Sequence, residues 1–506
     1  MPTLNWLNRE QALIKAQTVP YRLLEADTQL DYGDPAATNM LIQGDNLEAL
    51  KALLPYFAGQ VKCIYIDPPY NTGNAFEQYD DSLEHSLWLT LIYPRLELLR
   101  EIMSDEGSIW ISMDDSEGQY LKVVMDEIFG RKNFVSTIIW RKNYSPKSSA
   151  KYISDDHDYI FVYAKNKDVW RPNLMPRTEK QNKRYRNIDN DPRGPWKPGG
   201  IDARNYYSEG TYSITTPSGR VIDGPPKGAY WRYSQEKLME LDADNRIWWG
   251  KDGNNVPAIK RFLSEVSQGI VPQTYWPFED VGHTQEAKQE SVILFNDDPF
   301  GTPKPERLIE RVIHIATISG DLVLDSFLGS GTTAAVAHKK GRRYIGIEMG
   351  KHAVSHCVPR LKKVIDGEQG GVSEAVNWQG GGGFHFYRLG ETVFLPDGST
   401  NPKVTFSALA AHIWFTETNT PLSHTDEEGD AFLGVHNGSA YYLLYNGILK
   451  DKSVIGGNVL TSRTMRTLPP FDGPRVIYGA GSRFSPQRLK AENITFKQTP
   501  YQIKSY

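Results

Sequence analysis

Asp321-Leu322-Val323-Leu324-Asp325-Ser326-Phe327-Leu328-Gly329-Ser330-Gly331-Thr332-Thr333 reads as an apolar strand, a turn carrying two glycines and the first residues of a helix that runs to Lys339. Glycine lets such a turn tighten and lets a ligand approach the backbone at the helix N-terminus. The next strand, Arg343 to Glu348, ends on an acidic residue 17 positions beyond Gly331, placed to accept hydrogen bonds from ribose hydroxyls. Asp325, Phe327, Gly329, Gly331, Thr332 and Glu348 are therefore candidates to hold a nucleoside-containing cofactor. A phosphate-binding loop needs lysine where Thr332 stands, which disfavours nucleotide hydrolysis. Dinucleotide binding stays open, because Gly329-Ser330-Gly331-Thr332-Thr333-Ala334 fits the relaxed fingerprint, and so does a plain strand-to-helix turn.

Outward from this stretch the alternation continues. Pro305 to Ile318 reads as a helix with proline in its first turn. Near the other end, Met40 to Gln43 is a short strand before Gly44-Asp45, and the leucines from Asn46 to Leu54 mark a helix expected to stop at Pro55. Val61 to Ile66 is a strand, His85 to Met103 an amphipathic helix with Pro94 as an expected kink, and Gly107 to Ser112 another strand. Ser116 and Gln119 are spaced as a capping box for a helix reaching Phe129. Such alternation predicts an α/β fold, a parallel sheet with helices on both faces.

From about 165 to 290 the apolar period fades while Pro, Gly, Asn, Tyr, Trp and Arg accumulate; the aromatics favour a folded insertion over a disordered linker. Gly380 to Gly383 is a hinge or turn, followed by a smaller region with strands expected at Ala440–Leu444 and Arg475–Tyr478. The expected division is 1–164 and 291–366 for the two halves of one α/β domain, 165–290 for the insertion, and 367–506 for a small C-terminal domain.

The strand Val61–Ile66 delivers Asp67-Pro68-Pro69-Tyr70 at its C-terminal end. An exocyclic base amine is a poor nucleophile, because its lone pair is delocalised into the ring, and it carries two N–H donors. One carboxylate and one backbone carbonyl accepting those donors would favour a pyramidal nitrogen with its lone pair free. Two prolines fix the backbone and add no competing N–H, and Tyr70 offers a face on which an extruded base can stack. The bland alternative is a strand-ending turn with a packed tyrosine.

Two cysteines, Cys63 and Cys357, provide neither a disulfide framework nor a cysteine zinc site, and no metal site is expected. Cys63 reads as a buried strand thiol, which leaves cytosine C5 chemistry without a nucleophile. No apolar run approaches membrane-span length and the N-terminus lacks signal character, so the expectation is a cytoplasmic protein with no membrane partner. The net charge of −4 hides a local surplus: between Arg131 and Asn187, 14 Lys and Arg stand against 5 Asp and Glu. That suits contact with nucleic-acid phosphates, or is merely a solvated surface.

With the catalytic tetrapeptide early and the glycine loop late, the chain resembles the permuted beta group of DNA amino-methyltransferases. Asp67-Pro68-Pro69-Tyr70-Asn71-Thr72-Gly73, Trp110-Ile111-Ser112-Met113-Asp114-Asp115 and Ile494-Thr495-Phe496-Lys497-Gln498-Thr499-Pro500-Tyr501 are similar to the modification subunits of type III restriction systems. The resemblance implies a Rossmann-like methyltransferase fold with circularly permuted motifs, an inserted target-recognition domain and S-adenosyl-L-methionine as cofactor. It implies methylation of adenine N6 in double-stranded DNA by base flipping, with cytosine N4 as the close alternative. It further implies that Asp67 and the Pro68 carbonyl hold the amine, that Asp45 lies near the cofactor's adenine, and that Thr302 to Pro305, with Lys304, approaches its methionine end. Asp45 reads equally as an N-cap and Lys304 as a surface lysine. Expected partners are DNA, a second copy of the chain and a separate helicase-nuclease restriction subunit. Two other classes stay open: a DNA-recognition subunit active only with a partner, and a nicotinamide-dependent oxidoreductase, which leaves the tetrapeptide unexplained.

Overall fold

The computed structural model describes residues 2–71, 84–296, 298–422, 431–445 and 457–503. Thr72 and Gly73 lie outside the described residues. The chain forms two compact units, one of residues 1–173 with 273–506 and one of Leu174–Pro272.

The larger unit is built on a mixed sheet. Ten strands form its path: β1 (Arg22–Ala26), β2 (Met40–Gln43), β3 (Val61–Ile66), β4 (Met103–Met113), β5 (Phe134–Arg141), β6 (His157–Ala164), β7 (Tyr275–Trp276), β8 (Leu322–Asp325), β9 (Arg343–Glu348) and β10 (Gly383–Thr392). Their spatial order is β1-β10-β2-β9-β8-β3-β4-β6-β5-β7. From β10 to β4 all neighbours are parallel, while β6 is antiparallel to both β4 and β5. Strands covered on both faces read as near-continuous apolar runs, as Leu322-Val323-Leu324 and Cys63-Ile64-Tyr65-Ile66 do, all buried. The parallel centre follows the alternation; the antiparallel β6 had no sign in it.

The decisive feature is the order reversal between β8 and β3. After β8 the chain passes through the helix Thr332–Lys339 to β9 on one side; after β3 it passes through His85–Ile102 to β4 on the other. Val323 pairs with Cys63 and Leu324 with Ile64, so the two strand ends carrying Asp325 and Asp67 lie side by side. Open α/β sheets bind ligands at such a reversal, beyond the carboxyl ends of the strands.

Three local expectations are corrected. The helix that begins at Asn46 does not stop at Pro55 but runs to Phe57, with Ala58 N–H donating to the Leu54 carbonyl. A proline in the last turn removes a single ladder bond, and the buried face of Leu50, Leu53 and Leu54 continues through it. The expected capping box does not form: the helix is Gly118–Met125, and Ser116 N–H donates to Asp114 Oδ1 instead. Finally, β10 joins the main sheet although it lies beyond 366. Its Phe384 and Phe386 are buried, and the helix Phe406–Thr418 packs on Asn46–Phe57 within the same core, so the contacts do not separate 367–506 as a unit of its own. Gly380, Gly381 and Gly382, all at positive φ, turn the chain into β10; a Cβ on Gly382 would sit 2.7 Å from the His338 imidazole.

The smaller unit is narrower than 165–290 because both flanks belong to the larger one: Lys165 N–H donates to the Gly107 carbonyl, Asn173 N–H donates to that of Ile315, and Tyr275–Trp276 returns to the main sheet, Trp276 stacking on Trp110 at 6.3 Å. Short ladders dominate it, the largest pairing Ala258–Phe262 with Trp196–Gly200 and Ile247–Trp248. Its apolar centre is modest, gathered around Ile201, Ile214, Trp231, Leu238 and Ile247. A buried polar core supplements it. Lys260 Nζ lies 2.5 Å from Asp189 and 3.2 Å from Asp191, and hydrogen bonding by Arg193 holds the Asp191 carboxyl well below the usual range. Among the described residues no helix is long and apolar enough to cross a membrane.

Candidate active site

At the reversal a cleft of about 850 Å³ opens, bounded by Asp67 to Tyr70 on one side and by Asp325 and the loop from Phe327 to Thr333 on the other. Thr302, Pro303 and Lys304 form part of its wall. The sequence-predicted groups Asp67, Pro68, Pro69, Tyr70, Lys304, Asp325, Phe327, Gly329 and Thr332 thus converge on one cavity.

The glycine loop is fastened from behind. Gly329 and Gly331 sit at φ +55° and +82°, a region L side chains rarely adopt. Glu348 reaches under the loop: Gly329 N–H donates to its Oε2 at 2.7 Å, Gly350 N–H to its Oε1 at 2.8 Å, and His352 Nε2 lies 2.9 Å from Oε1. This carboxylate is buried and supports the loop, and it does not line the cleft. Asp325 accepts from Thr333 Oγ1 at 2.6 Å and from Phe327 N–H at 2.9 Å, while burial pushes its carboxyl up to about 7. Thr332 accepts from Arg360 Nη1 at 2.8 Å, and Arg360 in turn meets Glu306 at 2.8 Å.

Asp45 is an N-cap. Its Oδ1 accepts from Leu47 and Glu48 N–H, and its Oδ2 accepts from Arg95 at 2.9 Å. It does not line the cleft, but its neighbour Asn46 donates to the Ser326 carbonyl at 2.7 Å and so ties this corner to the glycine loop.

The tetrapeptide end is fastened differently. Lys304 is no surface lysine: its ammonium lies 2.5 Å from Asp67 Oδ2 and 5.0 Å from the Tyr70 ring centroid. Burial raises the Asp67 carboxyl above its ordinary range, and the Lys304 charge opposes that rise. Asp67 Oδ1 is buried and accepts no hydrogen bond from the described residues. Pro69's carbonyl is taken by Trp88 Nε1 at 2.8 Å. Among the described residues nothing donates to the Pro68 carbonyl. Among the described residues two acceptors are therefore unspent at the end of β3.

Sequence reasoning missed Asp158 and Lys142. Tyr70 Oη donates to Asp158 Oδ2 at 3.2 Å, and Lys142 Nζ holds Asp158 Oδ1 at 2.6 Å, both residues lining the cleft. The one local signal was a charge at the start of the otherwise apolar β6, since a buried aspartate needs a partner.

Comparison with known proteins agrees with this geometry. The DNA methylase family (N6_N4_Mtase) matches residues 61–358, from the start of β3 past the glycine loop. The chain is 34% identical over 414 residues to the probable type III restriction-modification enzyme HindVI Mod subunit of Haemophilus influenzae, covering 71% of this chain and 54% of that protein. It is 31% identical to the EcoP15I Mod subunit of Escherichia coli, over 66% of this chain and 61% of that one. It is 33% identical to the type II methyltransferase M.EcaI of Enterobacter cloacae, over 64% of this chain and 69% of that one. The chain spans somewhat more than half the length of the type III relatives it matches. With the matched region spanning both motifs and most of the sheet, the chain belongs to the DNA methylase family.

Proposed function

We propose that this chain is a site-specific DNA methyltransferase that moves the methyl group of S-adenosyl-L-methionine to the exocyclic N6 of adenine, as the modification subunit of a type III-like restriction-modification system. The observation that carries the reading is the pair of acceptors, Asp67 Oδ1 and the Pro68 carbonyl, to which no described residue donates, one strand away from the glycine loop.

The cleft suits both ligands. Its volume of about 850 Å³ falls in the usual range for ligand sites, and Gly329, at positive φ, forms part of its wall, while Gly331 lies behind it against Cys357 and Arg360. Phe327, Gly329, Gly331, Thr332 and Asp325 would hold the cofactor, with Glu348 and Asn46 keeping the loop in shape. When bound, the cofactor supplies an electrophilic methyl group on a sulfonium.

The protein's part is to present the amine. Asp67 Oδ1 takes one N–H and the Pro68 carbonyl the other, which turns the lone pair away from the ring and toward the glycine-loop side. Lys304 keeps Asp67 ionised in a buried place, so the acceptor has full charge as the nitrogen becomes positive. Once the methyl is on nitrogen, the surplus amine proton leaves along the bond to Asp67. Tyr70, held by Asp158, stacks on the extruded base. No base edge other than the amine is addressed by these groups, so adenine rests on the relatives; one, the DNA adenine methyltransferase YhdJ of Escherichia coli, is 23% identical. We assign target recognition to the compact unit Leu174–Pro272, and expect a homodimer and a separate restriction subunit as partners.

The test is methyl transfer by the purified chain to genomic DNA, followed by digestion to nucleosides. N6-methyladenine is expected. Exclusive N4-methylcytosine overturns the choice of base, and no transfer without a second protein favours a recognition subunit active only in complex.

A further inference from the structure

Between Arg141, which ends β5, and His157, which begins β6, the chain makes an excursion whose base is fixed and whose tip is bare. At the base, Lys142 N–H donates to the Asp156 carbonyl at 2.9 Å, and Asn143 Nδ2 donates to that of Asp155 at 2.8 Å. Thr284 N–H donates to the Lys142 carbonyl at 3.0 Å, and the Tyr144 ring packs on Phe278 at 5.3 Å. Past this collar every residue from 145 to 153 is exposed. The tip carries two adjacent large apolar side chains, Tyr152 at 85% exposure and Ile153 at 89%. Beside them Lys147 and Lys151 form no ion pair among the described residues, and the Lys151 ammonium lies 5.2 Å from the Tyr152 ring.

Isolated exposed apolar residues are ordinary. An adjacent aromatic and β-branched pair, raised on an anchored hairpin beside two lysines that form no ion pair among the described residues, is a shape with a use. Lys142, Asn143, Lys147 and Asp155 also line the cleft that contains Asp67 and Tyr70, so the tip rises from that rim. A base withdrawn from a duplex leaves an unstacked gap, and apolar side chains entering such gaps are a known means of holding DNA open. Cations around the wedge meet the flanking phosphates.

We propose that the segment 144–153 is a DNA wedge: Tyr152 and Ile153 occupy the stack where the target base has left it, with Lys147 and Lys151 on neighbouring phosphates. This rests on the DNA-methyltransferase reading above. The wedge acts on extrusion, not on the amine.

The experiment compares the full-length chain with a Tyr152→Ser, Ile153→Ser double variant on two duplexes containing the site that the wild type methylates. One duplex is fully paired; in the other the target adenine faces an abasic position, which removes most of the cost of extrusion. The variant is expected to lose on the order of tenfold or more in kcat/KM on the paired duplex and to be spared on the other, with cofactor affinity unchanged. With 2-aminopurine at the target, its fluorescence rise on binding the paired duplex should shrink in parallel. Equal loss on both duplexes, or no loss on either, overturns the wedge. A changed sedimentation coefficient of the free variant also overturns it, by showing that the tip seats on a second copy of the chain. A wild-type chain inert on both duplexes and on genomic DNA overturns the methyltransferase reading itself.

Discussion

The two strand ends that meet at the reversal are built from opposite materials. After β8, the groups that shape the loop meet partners within the protein, the Ser326 hydroxyl excepted: Glu348 holds Gly329, Thr333 and Phe327 hold Asp325, and Arg360 holds Thr332. After β3, Asp67 has one oxygen on Lys304 and one on nothing described, with an open carbonyl beside it. The first end is finished before any ligand arrives, as suits a cofactor held by shape. The second is left incomplete, as suits a substrate group that must supply two N–H donors. A buried, unsatisfied acceptor costs stability, so its survival at this position is itself a sign of use.

That contrast can be broken most sharply at the incomplete end. Asp67→Ala is expected to lower methyl transfer by about a thousandfold or more while leaving cofactor affinity, measured by calorimetry, near the wild-type value. Undiminished turnover would remove Asp67 from the chemistry. At the finished end, Glu348→Ala leaves the Gly329 N–H of the loop and the Gly350 N–H after β9 without their acceptor. It should cost about 1–3 kcal/mol in thermal or denaturant unfolding, and cofactor affinity should fall by about 10–100-fold. Stable folding with full affinity would show that the loop needs no support.

Lys304→Met probes the link between the two ends through pH. Activity requires the Asp67 carboxylate, so rate climbs as pH rises through its pKa, already raised by burial and restrained by Lys304. Without the ammonium that pKa goes higher, the acidic limb of the rate profile moves toward alkaline pH, and kcat at neutral pH falls by about tenfold. Raising the pH should recover part of the loss; a limb that stays in place would mean that Lys304 does not hold the charge. The smallest effect belongs to Tyr70→Phe, which keeps the stacking face and removes a hydroxyl that meets Asp158 at 3.2 Å and adds to the groups holding the Asp67 carboxyl down. A loss of about 0.5–1.5 kcal/mol in unfolding free energy is expected, with kcat little changed. A collapse of kcat would give the hydroxyl a chemical part.

Much of the larger unit was legible because its information is local. β9, from Arg343 to Glu348, and the helix Thr332–Lys339 have the bounds their apolar pattern suggests, and the tetrapeptide stands at a strand end as its prolines require. Legibility failed where a tertiary contact outweighs a local rule. Pro55 sits inside a helix because the buried leucine face around it is worth more than one ladder bond. Ser116 meets Asp114 rather than capping a helix. β10 follows glycines that read as a hinge or turn, and only its place between β1 and β2 makes it part of the sheet. Asp158 carries no motif at all; its role appears once β6 is seen running antiparallel beside β4.

The sequence by itself determined the kinds of group at each strand end: two glycines where backbone must be bare, and a carboxylate, two prolines and a tyrosine where an amine is to be held. These follow from residue chemistry and from spacing along one strand. Only the tertiary structure decided that β8 lies against β3, that Lys304 answers Asp67 across 237 residues, and that no described residue donates to Asp67 Oδ1 or the Pro68 carbonyl. Strand order and long-range ion pairs are set by the packing of the whole sheet, which no local pattern encodes.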